Sequence, residues 1–279
     1  MRKEKRNGLI VITGCDTGIG KSLARILHKR GYTVVLSYMS KPPFGAAPGI
    51  YQRKMDLRIP NDIDLFCAFV KEQCSSGMRL EALVSNAGVA LIGPVENLPI
   101  AAYRENFEIN FFGAVKIIQS LIPDLIKNKG KIIINGSNAG RIAMPFLSPY
   151  VSTKYAIEGF SDSLRREMNP FGVKTVLLEP ASVATPIWNN LRKQDLSFID
   201  KKYLPCIQYG LERFISGGNQ GLGSEAAGRI IADILETRNP KARYIISKNK
   251  LNTILLQSVP SIILDKAVKK IFKMDYGNK

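Results

Sequence analysis

Apolar residues along this chain fall into two alternating patterns. Short aliphatic and β-branched runs such as Leu9-Ile10-Val11-Ile12 read as buried parallel strands. Between them lie longer stretches with apolar positions at helical spacing. The first covers residues 21–30, with Leu23, Ile26 and Leu27 on one face and Gly31 just past its end. Further strands are predicted at 33–37, 51–55, 83–85, 132–134, 175–178 and 244–247. Helices are predicted at 60–76, with Ile63, Phe66 and Val70 turned to the sheet, at 100–127 with bends near Gly113 and Pro123, at 150–169 and at 224–236. The alternation predicts an α/β chain: one doubly wound parallel sheet with helices on both faces.

The first strand runs into Thr13-Gly14-Cys15-Asp16-Thr17-Gly18-Ile19-Gly20 and then into a helix. Strand, glycine loop and helix together set a helix N-terminus, with its unpaired N–H groups, against a pyrophosphate. The spacing is G-x-x-x-G-x-G rather than the G-x-G-x-x-G dinucleotide fingerprint. An ordinary glycine-rich turn is the plainer alternative. The position of the loop directly after a strand favours phosphate binding. In open sheets of this kind ligands lie beyond the carboxyl ends of the strands. The glycine loop, Asp56, Asn86, Ser137 and Pro180 all fall at such predicted ends.

One segment carries candidate chemistry. Gly136-Ser137-Asn138-Ala139-Gly140 is followed by Pro149-Tyr150-Val151-Ser152-Thr153-Lys154. Pro149 reads as a first-turn helix proline with Ser148 as the N-cap. Tyr150 and Lys154 then stand at i and i+4 on one helical face. A phenol holds its proton until about pH 10. A neighbouring ammonium favours the phenolate and would bring the group toward neutrality as an acid or base. The plain alternative is a surface Tyr and Lys on an ordinary helix, and the pair alone is weak evidence.

Taken together, the loop from Thr13 to Gly20, Asn86-Ala87-Gly88, Asn110, Ser137, Tyr150 and Lys154 resemble the short-chain dehydrogenase/reductase family, from about Leu9 to Ser247. The loop and the stretch 159–167 are similar to the retinol and hydroxysteroid dehydrogenase branch, and about equally to bacterial oxidoreductases of unassigned substrate. The resemblance implies a Rossmann-type fold and hydride transfer between a nicotinamide dinucleotide and a small hydrophobic alcohol or ketone. It implies Tyr150 as general acid/base, with Lys154 lowering its pKa and bonding the nicotinamide ribose. Ser137 would orient the substrate oxygen, and Asn110 would hold a water in the proton path. It also implies cofactor contacts from Gly14, Asp16, Thr17, Gly18, Ile19, Gly20, Ser37, Asp56, Leu57, Asn86, Ala87, Gly88, Pro180, Val183 and Thr185. Asp56 would meet the adenine amino group, Asn86 would tie strands together, and Thr185 would meet the carboxamide. Two departures stand out. Ala181 follows Pro180 where the family has glycine, which leaves the loop geometry open. The second strand ends in Ser37-Tyr38-Met39-Ser40-Lys41 with no acid to repel a 2′-phosphate. That leans toward NADP(H), with NAD(H) left open. A carrier-protein ketoreductase and a dinucleotide-binding sensor or scaffold without turnover are the alternatives; the complete set of catalytic-type residues disfavours the sensor.

A chain of 279 residues suffices for one large domain, and no linker, repeat or low-complexity tract divides it. The expectation is a single catalytic domain over 1–279, including a substrate loop at 183–223 and a basic amphipathic segment at 248–275. Within the loop Ile187, Trp188, Leu191, Phe198, Tyr203, Leu204 and Phe214 are apolar lining candidates. Four cysteines without a C-x-x-C pair, and one histidine, argue against a zinc site and for free thiols in a reducing, cytoplasmic compartment. The charged start, Met1 to Arg6, followed by a short apolar run reads as a first strand rather than a signal peptide. No run reaches the roughly 18 apolar residues of a membrane span. The net charge of +17 suits attraction to anionic membranes, acidic carrier proteins or nucleic acid, although no nucleic-acid motif accompanies it. At 248–275, leucines and isoleucines are interleaved with lysines around Pro260, which predicts two short helices. They would either lie on a membrane or dock on the body or on a dimer partner, capping the substrate loop. A homodimer or homotetramer, paired through the helices carrying Asn110 and Tyr150, is a further implication of the resemblance.

Overall fold

The computed structural model describes residues 8–274; the readings placed on Met1–Arg6 and at residue 275 lie outside them. Seven strands form one parallel sheet: β1 (Gly8–Ile12), β2 (Thr33–Tyr38), β3 (Ile50–Lys54), β4 (Arg79–Ser85), β5 (Lys131–Asn135), β6 (Lys174–Pro180) and, at the far edge, β9 (Arg243–Ile246). The spatial order is β3-β2-β1-β4-β5-β6-β9. Every crossover but the one from β2 to β3, which is a loop over 39–49, carries a helix, the usual connection between parallel neighbours. These are α1 (Gly18–Lys29), α2 (Pro60–Ser75), α3 (Ile100–Phe107) continuing into α4 (Gly113–Asn128), α5 (Ser148–Met168) and α8 (Ser224–Glu236).

Strand alternation sorts the core into two layers. Leu9 and Val11 pack with Phe66, Ile117 and Leu121 on one face, while Ile10 and Ile12 pack with Leu23, Leu27 and Ile231 on the other. The order of strand connection reverses between β1 and β4, so the crevice opens there, beyond the carboxyl ends.

The excursion after β6 holds β7 (Val183–Ala184), α6 (Pro186–Leu191), α7 (Leu204–Asn219) and β8 (Leu222–Gly223), with β7 and β8 paired as a small second sheet. Pro260 separates α9 (Lys250–Gln257) from α10 (Ser261–Ile271), as the sequence predicts.

Three expectations need correction. Ser148 is the first residue of α5 and not its cap; Leu147 takes the cap position and gives no side-chain bond. The bend expected near Gly113 is one π-helical turn, Glu108–Phe112, which contains Asn110. The continuous helix Ile100–Asn128 is also apolar and long enough to cross a membrane by length and composition, against the expectation of no such run. In this fold Ile117, Ile118, Leu121 and Leu125 are its fully buried face against the sheet.

Candidate active site

A cleft of 1330 Å³ runs over the carboxyl ends of the strands, from the glycine loop to the C-terminal helices. It exceeds the roughly 300–1,000 Å³ of ordinary ligand pockets, as a dinucleotide and a substrate held together require. At one end the chain turns at Gly14 (φ 69°) and Gly18 (φ 59°), left-handed values that favour glycine. A Cβ on Gly14 would lie 2.6 Å from the Ala87 Cα. The loop is tied to β4: the Asn86 and Ala87 amides donate to Thr13 Oγ1, and Asn86 Nδ2 donates to the Thr13 and Gly14 carbonyls at 2.9 and 3.1 Å. Asn86 thus ties strands, as expected. Ser37 Oγ accepts from the Gly14 amide, so this side chain holds the loop as well as facing the cleft.

The tip of β2 carries an acid after all, but it comes from the glycine loop. Asp16 Oδ1 accepts from the Ser40 amide at 2.8 Å and the Ser40 hydroxyl at 2.7 Å, and Oδ2 accepts from the Met39 amide at 2.9 Å. Burial alone would raise the Asp16 carboxyl; the bonds from Ser40 and Met39 outweigh it and hold the group below its usual range. Asp56, after β3, is clamped by Arg58, whose Nη2 lies 2.7 Å from Oδ2. That guanidinium keeps the Asp56 carboxylate ionised.

At the other end Ser137, Tyr150 and Lys154 converge. The Ser137 side chain faces the cleft beside Tyr150, where it favours the phenolate, and it also caps its own turn by accepting from the Ala139 amide at 3.0 Å. Lys154 is buried, with Nζ donating to the Asn135 carbonyl at 2.9 Å and lying 5.5 Å from the centre of the Tyr150 ring. Burial brings Lys154 down to about 8. Burial also pushes the Tyr150 phenol up, opposed by Ser137. The neighbouring ammonium alone would lower the phenol, but both groups are also desolvated, and for Tyr150 burial is the larger influence.

Of the sequence-predicted residues, Asn110 and Gly20 do not line the cleft. Asn110 stands behind Gly88. Its Nδ2 donates to the Val89 carbonyl and to Thr153 Oγ1, while Oδ1 accepts from the Val89 amide. Both amide hydrogens are spent, so this side chain fixes the 88–89 backbone beside Lys154. Gly20 packs under the loop, where a Cβ would lie 2.4 Å from the Gly14 carbonyl oxygen. The remaining predicted cofactor contacts all face the cleft. Ala181 needs no left-handed φ; its amide donates to the Ile246 carbonyl, and the loop closes without glycine. Ile187, Trp188, Leu191 and Phe214 line the substrate end, but Phe198, Tyr203 and Leu204 do not. The Tyr203 hydroxyl instead bonds Glu96 at the surface. Sequence reasoning missed Asn135 and Gln194. Gln194 clamps the 90–92 backbone through the Ala90 carbonyl and the Ile92 amide, and no local pattern announces that contact.

The family model described as short chain dehydrogenase matches residues 8–196. The chain belongs to that family. It is an NAD(P)-dependent oxidoreductase. It is 30% identical over 275 residues to an NADPH-dependent 3-dehydrocapnine reductase of Ornithobacterium rhinotracheale, covering 95% of this chain and 96% of that protein. To the mitochondrial D-beta-hydroxybutyrate dehydrogenase of Mus musculus it is 36% identical over 264 residues, covering 84% and 75%. A short-chain dehydrogenase/reductase of Burkholderia phymatum in complex with NAD superposes with a TM-score of 0.78 at 17% identity, over 95% of this chain and 96% of that one. This dehydrogenase thus shares its fold with that structure across nearly its whole length.

Proposed function

We propose that this dehydrogenase moves a hydride between a nicotinamide dinucleotide and a hydrophobic secondary alcohol or ketone, with Tyr150 as the proton donor and acceptor. The observation that carries the reading is the meeting of Tyr150, Ser137 and Lys154 in a cleft whose other end is a glycine loop at a helix N-terminus. The left-handed turns at Gly14 and Gly18 and the amides opening α1 fit a pyrophosphate. When bound, the dinucleotide supplies or takes the hydride.

Each residue then has a defined task. Asp56 accepts from the adenine amino group, and Thr185 and Val183 receive the nicotinamide end. In reduction, Tyr150 stands protonated and gives its proton to the carbonyl oxygen; in oxidation it takes that proton, helped by the Lys154 charge. Lys154 also bonds the nicotinamide ribose. Ser137 donates to the substrate oxygen as that atom gains charge. Asn110, through Val89, keeps the floor of the site in place. The apolar walls of Ile187, Trp188, Leu191, Phe214 and Met144 support a steroid-, retinoid- or lipid-like substrate. The free cysteines support a cytoplasmic location, and helices α3–α4 and α5 are the faces through which a dimer or tetramer would form.

Purified protein should change the absorbance of reduced nicotinamide with apolar alcohols or ketones and not with sugars or amino acids. Turnover of polar substrates alone would sink the substrate class. Ser137→Ala should lower kcat about 100-fold with KM little changed, because the bond matters most in the transition state. An equal loss of binding would make Ser137 structural.

Ser40 and Lys41 could receive a 2′-phosphate, which supports NADP(H). The Asp16 carboxylate on the same Ser40 and Met39 amides keeps that preference small. Asp16→Asn should therefore raise affinity for NADPH relative to NADH by about tenfold, through loss of charge repulsion. Fluorescence titration of both reduced cofactors gives the ratio; an unchanged ratio would place the phosphate elsewhere.

A further inference from the structure

Helices α9 and α10 have apolar residues on two sides. One side belongs to the body: Leu256, Leu264, Val268 and Ile271 face the cleft, and Phe272 packs against Phe146 and Phe214. Gln257 pins α9 by donating to Asn138 Oδ1 and Glu179 Oε2, each at 2.9 Å. Docking on the body, one of the two expectations for this segment, is therefore observed for this side. The other side has no cover among the described residues. Leu251 is 66% exposed, Leu255 59%, Ile262 69% and Ile263 56%. None of the eleven residues of α10 is buried. Exposed Lys250, Lys266, Lys269, Lys270 and Lys273 stand among these residues, with Asp265 as the only acid between 248 and 274.

We propose that the outer side of α9 and α10 docks on an anionic lipid surface and brings the substrate end of the cleft to that surface. Helices of 8 and 11 residues are too short to span a bilayer, which takes about 20. They suit the interfacial plane, where apolar insertion and attraction of lysines to acidic headgroups add together. The charge pattern selects this partner over a second copy of the chain. A two-fold contact through this side would set lysine against lysine on a protein of net charge +17. Because the inner sides of the same helices line the cleft, an amphiphile held in the interface would reach the Tyr150 end along apolar wall. The proposal deepens the hydrophobic-substrate reading above. Vesicle binding needs no turnover, so either can fail without the other.

The test is sedimentation of the full chain with vesicles of phosphatidylcholine alone and of phosphatidylcholine with phosphatidylserine. Half-maximal binding should need at least about tenfold less lipid when phosphatidylserine is present. The double variant Leu255→Glu, Ile262→Glu alters exposed side chains outside the cleft. It should lose vesicle binding by more than about tenfold while its dinucleotide affinity is unchanged. Lys266→Gln with Lys270→Gln should remove the preference for anionic lipid. Absent binding, equal binding to both vesicles, or binding unaffected by these changes would overturn the proposal. So would a wild-type dimer that Ile262→Glu converts to monomer without any vesicle binding, which would assign the face to contact between copies.

Discussion

Replacing Tyr150 with phenylalanine is expected to lower kcat by at least about 100-fold, and up to about 10,000-fold, the usual range for losing a positioned general acid or base. The substitution removes one hydroxyl from the ring. The pyrophosphate contacts lie at the far end of the cleft, around Gly14 and Gly18, so affinity for the reduced dinucleotide should change less than about threefold. Stopped-flow measurement of the hydride step, alongside a fluorescence titration, separates the two quantities. A variant that retained a tenth of the activity would remove Tyr150 from the proton transfer and with it the proposed mechanism.

Lys154→Met is expected to abolish useful turnover and yet leave a protein at least as stable as the parent near pH 7. The lysine in the folded state gives up its proton near pH 8, against an ordinary value of 10.5. Its folded pKa is depressed, so below pH 8 the fold bears the cost of a buried charge. Between pH 8 and 10.5 the unfolded chain binds the extra proton, and stability from this group rises with pH. The full effect is on the order of 3 kcal/mol, offset in part by the bond to the Asn135 carbonyl. Thermal unfolding of both proteins from pH 7 to 10.5 should show the variant's advantage shrinking as pH rises. A destabilised variant with a constant gap would mean that the lysine charge contributes nothing to the difference.

The sheet and its helices were legible because both faces of every central strand are buried, which writes an uninterrupted apolar run at each. The candidate site was legible for a related reason. Residues at strand ends converge in an open parallel sheet, so Asp56, Asn86 and Ser137 could be placed together from position alone. What escaped was set by contacts distant in sequence. Asp16 was read as a glycine-loop residue, and only the folded chain carries it to the Met39 and Ser40 amides. The missing acid of the second strand was therefore missing only in the linear order. Tyr150 and Lys154 were placed correctly on one helix face, but their burial, which moves both proton affinities, belongs to the packing around them. The substrate loop was the least legible part. Its apolar residues divide between the cleft wall, as with Trp188, and surface contacts, as with Tyr203, and nothing in their spacing separates the two.

The placement of α9 and α10 imposes an order on assembly during synthesis. The glycine loop and the first six neighbouring strands of the sheet leave the ribosome well before residue 250. Leu256, Leu264, Val268 and Phe272 close the substrate end only when the final helices emerge. A nascent chain can therefore complete its dinucleotide half before it has a finished chamber for substrate. Translation thus delivers the nucleotide-binding frame before the chemistry-enclosing wall.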